Sequence, residues 1–237
     1  MTKFYGVGTE PGASDLLTIR GREVLQMVDC LYTPEPKKAG KSLALQIVTP
    51  YLKEDQMIKQ RHFPMVNNWE EKRNAWDKVA EEIISDVKSG LNVAFITLGD
   101  PMVYSTYSYL LERMTEQIET ETVPGISSFC QISNELQIPL VIDEESYAVL
   151  PATADEEILR IALKNISTVI LMKVSIALPK IVKLLTELDL LGQTILVSDS
   201  SMSSEKIMIG LNELDEQDSL SYFSTMIVYK NRTLKGS

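Results

Sequence analysis

The feature that most constrains this chain is an apolar run at residues 92–98 (NVAFITL), which ends directly at Gly99-Asp100-Pro101. Continuous apolar runs of this kind are typical of strands buried on both faces of a parallel sheet. Ligands bind such sheets at the carboxyl ends of the strands. The run therefore predicts an α/β fold, and the residues that follow it would form either a binding loop or a simple tight turn.

Strand-like and helix-like segments alternate along the rest of the chain. Strands are predicted at residues 3–8, 30–33, 45–48, 146–150, 168–172 and 194–198, and helices at 15–29, 67–89, 105–117, 154–164 and 178–188. Short β-rich runs at 205–209 and 225–229 have no long helices between them, which indicates antiparallel additions to a sheet. A turn at Pro124-Gly125 marks the junction between two predicted α/β domains, residues 1–121 with a mostly parallel sheet and residues 122–237 with a mixed sheet.

Composition narrows the classes of function. Among 237 residues, 33 are acidic and 23 basic, and the net charge of −10 argues against binding nucleic acid by phosphate neutralisation. A single histidine, His62, and two cysteines, Cys30 and Cys130, exclude multi-histidine and cysteine-rich metal sites, so no metal is expected. No apolar run reaches the length of a membrane span, and the first residues lack the layout of a signal peptide. We therefore expect a cytoplasmic protein with a small-molecule or protein partner.

Two glycine motifs imitate nucleotide-binding loops, but their spacing fails. Gly6-Val7-Gly8 follows a predicted strand, yet Pro11 stands where a dinucleotide-binding loop needs its third glycine. Gly40-Lys41-Ser42 resembles the end of a phosphate-binding loop, yet Glu35 occupies the position of its first glycine. The sequence favours a surface loop for the second motif.

Two further segments could carry chemistry. In VPGISS (residues 123–128), a rigid turn precedes Ser127 and Ser128 at the start of a predicted helix, where helix capping is the alternative role. Met172 ends the predicted strand TVILM, where core packing explains it as well as ligand contact does.

Taken in order, four segments resemble the tetrapyrrole methylases, a family that transfers methyl groups from S-adenosylmethionine to corrin and porphyrin precursors. They are GVGTEPGASDLLTIRG, TLGDPMVYST, VPGISSF and LMK, and the resemblance extends from Lys3 to about Tyr229. Within the family, GDPMVYSTYSYL, with HFPM upstream and YAVLPA downstream, is most similar to the precorrin-2 C-20 methyltransferases of cobalamin synthesis.

This resemblance implies two α/β domains with S-adenosylmethionine bound in the cleft between them, a tetrapyrrole substrate and a homodimer. The residues that match the family's cofactor contacts are Pro11, Leu98, Gly99, Asp100, Val103, Ser127, Ser128, Met172, Ser200 and Thr225. Apolar and aromatic residues in STYSYLLERM exceed one buried stripe, which also favours a covering partner chain. The alternatives are another enzyme of the family, acting at a different carbon or on uroporphyrinogen or diphthine, and a tetrapyrrole-binding protein without catalytic activity.

The opening loop departs from the family's pattern, which usually reads Gly-Pro-Gly-Asp. Here it reads Glu10-Pro11-Gly12-Ala13, which puts in doubt any role of the missing aspartate, although Glu10 or Asp15 could replace it. The sequence identifies no catalytic residue. Tyr104 and Asp15 are candidates for accepting the C-20 proton, with a structural role as the alternative for each.

The substrate's carboxylates require a local basic patch that the net charge conceals. Its possible members are Arg20, Arg22, Arg61, Lys72 and Arg73, and a solvated surface charge is the alternative for each of them.

Overall fold

A computed structural model describes residues 2–34, 42–64, 68–215, 217–232 and 234. The chain divides into two compact units, residues 1–127 and 128–237, with the boundary between Ser127 and Ser128. In the part of the chain that the structure describes, no helix is both long and apolar enough to cross a membrane.

The first unit is built on a five-stranded sheet in which every pairing is parallel. Its elements are β1 (Phe4–Gly8), α1 (Ile19–Met27), β2 (Cys30–Pro34), α2 (Leu43–Val48), β3 (Met57–Arg61), α3 (Trp69–Lys88), β4 (Val93–Thr97), α4 (Tyr107–Met114) and β5 (Thr120–Val123). The strand order is β3-β2-β4-β1-β5. The loops that follow these strands therefore all leave from one edge of the sheet.

The apolar run at residues 92–98 lies at the centre of this sheet, as its composition predicts. Side chains from β4 alternate between two cores: Phe95 packs with Phe4 on one face, and Ile96 packs with Val7 on the other. Because both faces are covered by helices, the strand is apolar throughout instead of alternating with polar residues.

The second unit contains a mixed sheet. Its elements are α5 (Ser128–Leu136), β6 (Tyr147–Pro151), α6 (Glu156–Asn165), β7 (Thr168–Met172), α7 (Leu178–Glu187), β8 (Thr194–Ser198), β9 (Lys206–Ile209) and β10 (Ser224–Tyr229). The strand order is β6-β7-β10-β8-β9, with β6 and β7 parallel and the other pairs antiparallel. The predicted α/β fold class and the antiparallel additions are confirmed.

One sequence prediction about the first unit is wrong, and one strand was missed. The strand predicted at residues 45–48 is instead helix α2, because Ala44, Leu45, Ile47 and Val48 are buried together at helical spacing. Strand β3 was not predicted, since its sequence MIKQR is polar and none of its residues is fully buried at the sheet edge.

The predicted helix boundaries shift where capping residues start the helices. Helix α1 begins at Ile19 instead of residue 15, because the Thr18 side chain accepts a hydrogen bond from Gly21 N at 3.0 Å. Helix α3 begins at Trp69, where Asn68 accepts from the backbone N–H groups of Glu70 and Glu71. The start predicted at Asn67 lies outside the described residues, as do Gly40 and Lys41 of the phosphate-loop imitation.

Candidate functional site

Three loops meet at the carboxyl edge of the parallel sheet. They are the opening loop (residues 9–13) after β1, the Gly-Asp-Pro loop (residues 98–105) after β4 and the Pro-Gly loop (residues 124–127) after β5. Since β4 and β5 are the two neighbours of β1, their loops flank the opening loop. Six of the predicted cofactor residues lie in these loops: Pro11, Leu98, Gly99, Asp100, Val103 and Ser127.

Glycines allow the three loops to touch through their backbones. A Cβ atom added at Gly8 would lie 2.6 Å from the carbonyl oxygen of Gly99 and 2.5 Å from the nitrogen of Gly125. A Cβ at Gly125 would overlap the carbonyl oxygens of Gly99 and Thr9. Gly99 itself has a φ of 68°, a conformation that favours glycine. The three loops are therefore packed backbone against backbone at this edge.

The carboxylate of Asp100 connects two of the loops. Its Oδ1 accepts a hydrogen bond from Met102 N at 2.9 Å, and its Oδ2 accepts one from Gly125 N at 3.3 Å. Val103 N also donates to the Asp100 carbonyl oxygen at 3.1 Å. Asp100 therefore shapes the Gly-Asp-Pro loop and ties it to the Pro-Gly loop.

Glu10, one of the two residues that depart from the family's pattern, is fully buried in the opening loop. Its Oε2 accepts hydrogen bonds from the backbone N–H groups of Gly12 and Ala13. Its Oε1 is buried too, and no hydrogen-bond partner for it exists among the described residues. Burial raises the pKa of this carboxyl to about 7, with a smaller contribution from Asp15, although the two N–H donors act to lower it.

The sequence offered Glu10 only as a possible replacement for the missing aspartate, and not as a cofactor residue. The available signal was a glutamate placed between Gly8 and Pro11-Gly12, since glycines allow the backbone of neighbouring loops to approach closely. Only the packing of the neighbouring loops shows that the carboxyl is buried.

The two candidates for accepting a proton have different environments. Tyr104 has a φ of 51°, a strained conformation of the kind that occurs at functional sites, and its residue surface is 45% exposed. Partial burial raises the pKa of its hydroxyl, so it stays protonated at neutral pH. Asp15 is exposed in the short 3-10 helix Ser14–Leu16.

In the second unit, three of the four predicted cofactor residues lie together. Thr225, at the start of β10, pairs in register with Met172 at the end of β7. The Thr225 hydroxyl is 3.4 Å from that of Ser128, the first residue of α5. The sequence predicts strands at residues 168–172 and 225–229. Their antiparallel pairing brings the end of the first strand beside the start of the second.

The fourth residue, Ser200, lies in the turn that follows β8. Its hydroxyl is buried and has no hydrogen-bond partner among the described residues, and the same is true of Ser201. Asp199 and Ser201 have positive φ values of 55° and 62°, so the turn is held in a conformation that these residues rarely adopt. Buried hydroxyls without partners are few in native structures, so each of them requires an explanation.

Two of the five predicted basic residues, Arg20 and Arg61, are paired with carboxylates. Arg20 forms an ion pair with Glu121 at 2.6 Å, and Arg61 forms one with Glu82 at 2.5 Å. Arg61 and its partner line a cavity of about 810 Å³, together with His62, Pro64, Asn68, Glu70, Glu71, Asn74, Ala75, Lys78 and Val79. The charges in this cavity are mixed, so it does not form a selective site for carboxylates.

The described residues include no group of side chains that could hold a metal ion.

The chain belongs to the tetrapyrrole (corrin/porphyrin) methylases, since the model of that family matches residues 3–215. A cobalt-precorrin-2 C(20)-methyltransferase from Salmonella typhimurium is 39% identical over 228 residues, 96% of each chain. A precorrin-2 C(20)-methyltransferase from a Sinorhizobium species is 28% identical over 235 residues, 95% of this chain and 94% of the relative. The predicted family is confirmed.

A solved structure shares the fold. Uroporphyrin-III C-methyl transferase from Thermus thermophilus, complexed with S-adenyl homocysteine, matches with a TM-score of 0.69 at 18% identity, covering 96% of this chain and 97% of that chain.

Proposed function

We propose that this protein methylates C-20 of cobalt-precorrin-2 or precorrin-2 in cobalamin biosynthesis, with S-adenosylmethionine as methyl donor. The observation that carries this proposal is the 39% identity, over 96% of both chains, to a relative with that activity in its name. The relative named for the cobalt-free substrate is only 28% identical, which favours the cobalt-containing form.

The residues present fit such a cofactor. When bound, S-adenosylmethionine supplies a methyl group activated by its sulfonium, and displacement by a nucleophilic carbon leaves S-adenosylhomocysteine. Its amino-acid and ribose groups need backbone amides, carbonyls and hydroxyls, together with a carboxylate. The backbone-lined edge at Gly8 and Gly125 and the carboxylate of Asp100 supply these groups in the first unit. We assign the amino-acid and ribose contacts to Leu98, Gly99, Asp100 and Val103, with Pro11 and Ser127 beside them.

We propose that the second unit also contributes cofactor contacts. The hydroxyls of Ser128, Ser200 and Thr225 and the side chain of Met172 are the groups in question, with Met172 near the adenine. The buried hydroxyl of Ser200, which has no partner among the described residues, supports this assignment.

The protein's main task in this reaction is alignment. Holding donor and acceptor in a near-attack geometry can contribute on the order of 7 to 11 kcal/mol, and no protein nucleophile is needed. The rigid backbone contacts between the three loops are suited to this task. The proton lost from C-20 requires an acceptor: Asp15 is exposed and can pass it to water, whereas Tyr104, protonated at neutral pH, is suited to donate a hydrogen bond.

Binding of S-adenosylhomocysteine to the purified protein, measured by calorimetry, tests the cofactor assignment. We expect one site per chain. Asp100→Ala should weaken binding about tenfold or more, because the carboxylate shapes one loop and connects it to another. His62→Ala, which changes a residue outside the three loops in the cavity lined by Arg61 and Glu82, is the control and should bind as the natural protein does. Equal losses in the two variants would show that the site is misplaced.

The reaction itself is tested with labelled S-adenosylmethionine and precorrin-2, with and without cobalt. We expect a product that carries one added methyl group at C-20, located by NMR. Methylation at another carbon, or of uroporphyrinogen or diphthine only, would assign the chain to a different branch of the family. Binding of the tetrapyrrole without turnover would identify a non-catalytic binding protein.

We further propose that the protein works as a homodimer in the cytoplasm. Trp69 remains 52% exposed at the start of α3, which leaves apolar surface for a second chain. The aromatic excess of α4 is partly covered within the chain, because Tyr109 stacks on Trp76 with ring centroids 4.0 Å apart. Two free cysteines, Cys30 and Cys130, are consistent with a reducing compartment.

A further inference from the structure

The two oxygens of the Glu10 carboxylate have unequal surroundings. Oε2 accepts both backbone hydrogen bonds of the opening loop, from Gly12 and Ala13, and this is sufficient to fix the turn around Pro11. Oε1 is equally buried, yet it has no partner among the described residues. A buried acceptor without a donor is destabilising, and more so when the group is charged. The unsatisfied oxygen therefore indicates a donor that arrives with a ligand.

We infer that Glu10 is a binding residue for the methyl donor: Oε2 positions the opening loop while Oε1 accepts a hydrogen bond from the α-ammonium group of the bound cofactor. This inference rests on the proposed function and adds to it a residue that the family's loop pattern does not contain. Glu10 also supplies the opening loop with a carboxylate, although Ala13 stands where the family's pattern has an aspartate.

The charge balance around Glu10 favours a cationic donor over a neutral one. Burial disfavours the ionised carboxylate, and Asp15 adds a repulsion. Among the described residues, no lysine or arginine acts on Glu10 to offset these effects. An ammonium group would stabilise the ionised form, and hydrogen bonds between charged partners are about twice as strong as neutral ones.

The test compares two ligands on the natural protein and Glu10→Gln by calorimetry at pH 8. S-adenosylhomocysteine carries the ammonium group, whereas 5′-methylthioadenosine keeps the nucleoside and sulfur without it. The glutamine keeps one oxygen for the loop amides and replaces the free oxygen with an N–H donor. We expect Glu10→Gln to weaken S-adenosylhomocysteine binding at least tenfold and to change methylthioadenosine binding less than twofold. Equal losses for the two ligands, or none for either, would overturn the inference.

The pH dependence supplies a second readout that a purely structural role would not change. The affinity of the natural protein for S-adenosylhomocysteine should rise between pH 6 and pH 8 as Glu10 ionises, and Glu10→Gln should remove this rise. A rise that persists in the variant would contradict a role of Glu10 in binding.

If the natural protein binds neither ligand, the proposed function itself fails. If it binds both and Glu10→Gln binds them equally well, only the inference about Glu10 fails.

Discussion

At the scale of single residues, Glu10 shows how far a sequence can predict a site. Its identity marks it as a departure from the family's loop, but burial depends on residues distant in the chain. Thr9 and Gly8, next to it, pack against the backbone of Gly125, more than a hundred positions away. Sequence patterns locate such loops at strand ends, whereas the environment of one carboxyl depends on how the loops pack together.

The raised pKa of Glu10 predicts a pH-dependent cost in stability. Its carboxyl has a pKa of about 7 in the folded chain against an ordinary value of 4.5, so the folded state holds the proton more tightly. The cost is absent below pH 4.5, grows as the pH rises and is complete above about pH 7. The stability advantage of Glu10→Gln over the natural protein, measured as unfolding free energy, should therefore be roughly 1 to 3 kcal/mol larger at pH 8 than at pH 5.

Urea unfolding of both proteins at the two pH values measures this difference. Glu54→Gln, which changes an exposed glutamate in a turn, is the matched control. A gain that is the same at pH 5 and at pH 8 would mean that Glu10 is not a strained buried carboxyl.

At the scale of elements, the sequence predicted those whose burial pattern is strong. Strand β4 was predictable because its apolar residues face two cores, and α3 because its apolar stripe repeats over 20 residues. Helix α2 was mistaken for a strand, since over six residues a buried helix and a buried strand have similar apolar patterns. Strand β3 was missed because pairing with β2, not its own composition, holds it in the sheet.

The close backbone packing of the loops that follow β1, β4 and β5 gives a prediction about Gly125. Gly125→Ala should destabilise the protein by about 2 kcal/mol or more and abolish cofactor binding, because its Cβ would overlap two backbone carbonyls that cannot move independently. Gly192→Ala is the control, because nothing lies within 4 Å of its Cβ position. Thermal unfolding and calorimetry of both variants measure these effects. Normal cofactor binding by Gly125→Ala would show that the loops are not packed as described.

At the scale of the whole molecule, the two sheet types follow from what connects the strands. Helices between successive strands of the first unit produce parallel pairing, and among the described residues no long helix immediately precedes β9 or β10, which permits antiparallel pairing. Both were predictable. The order of strands was not, because the insertion of β10 between β7 and β8 depends on contacts distant in sequence.

The proposed assembly is measured on the intact protein. Light scattering at micromolar concentration should give about twice the chain mass of 26.6 kDa. The monomer mass at that concentration would refute the homodimer. Measuring the mass with and without S-adenosylhomocysteine separates assembly from cofactor binding.

The position of β10 has a consequence for how the protein is made. All five strands of the first sheet have been synthesised by Val123, so that unit can fold while translation continues. The second sheet receives its central strand only at residues 224–229, and until then β7 and β8 have unpaired edges facing each other. At about 5 to 20 residues per second, the ribosome takes roughly 1 to 5 seconds to synthesise the interval between β8 and β10. A nascent chain stalled in that interval exposes two apolar strand edges, which can pair with another chain.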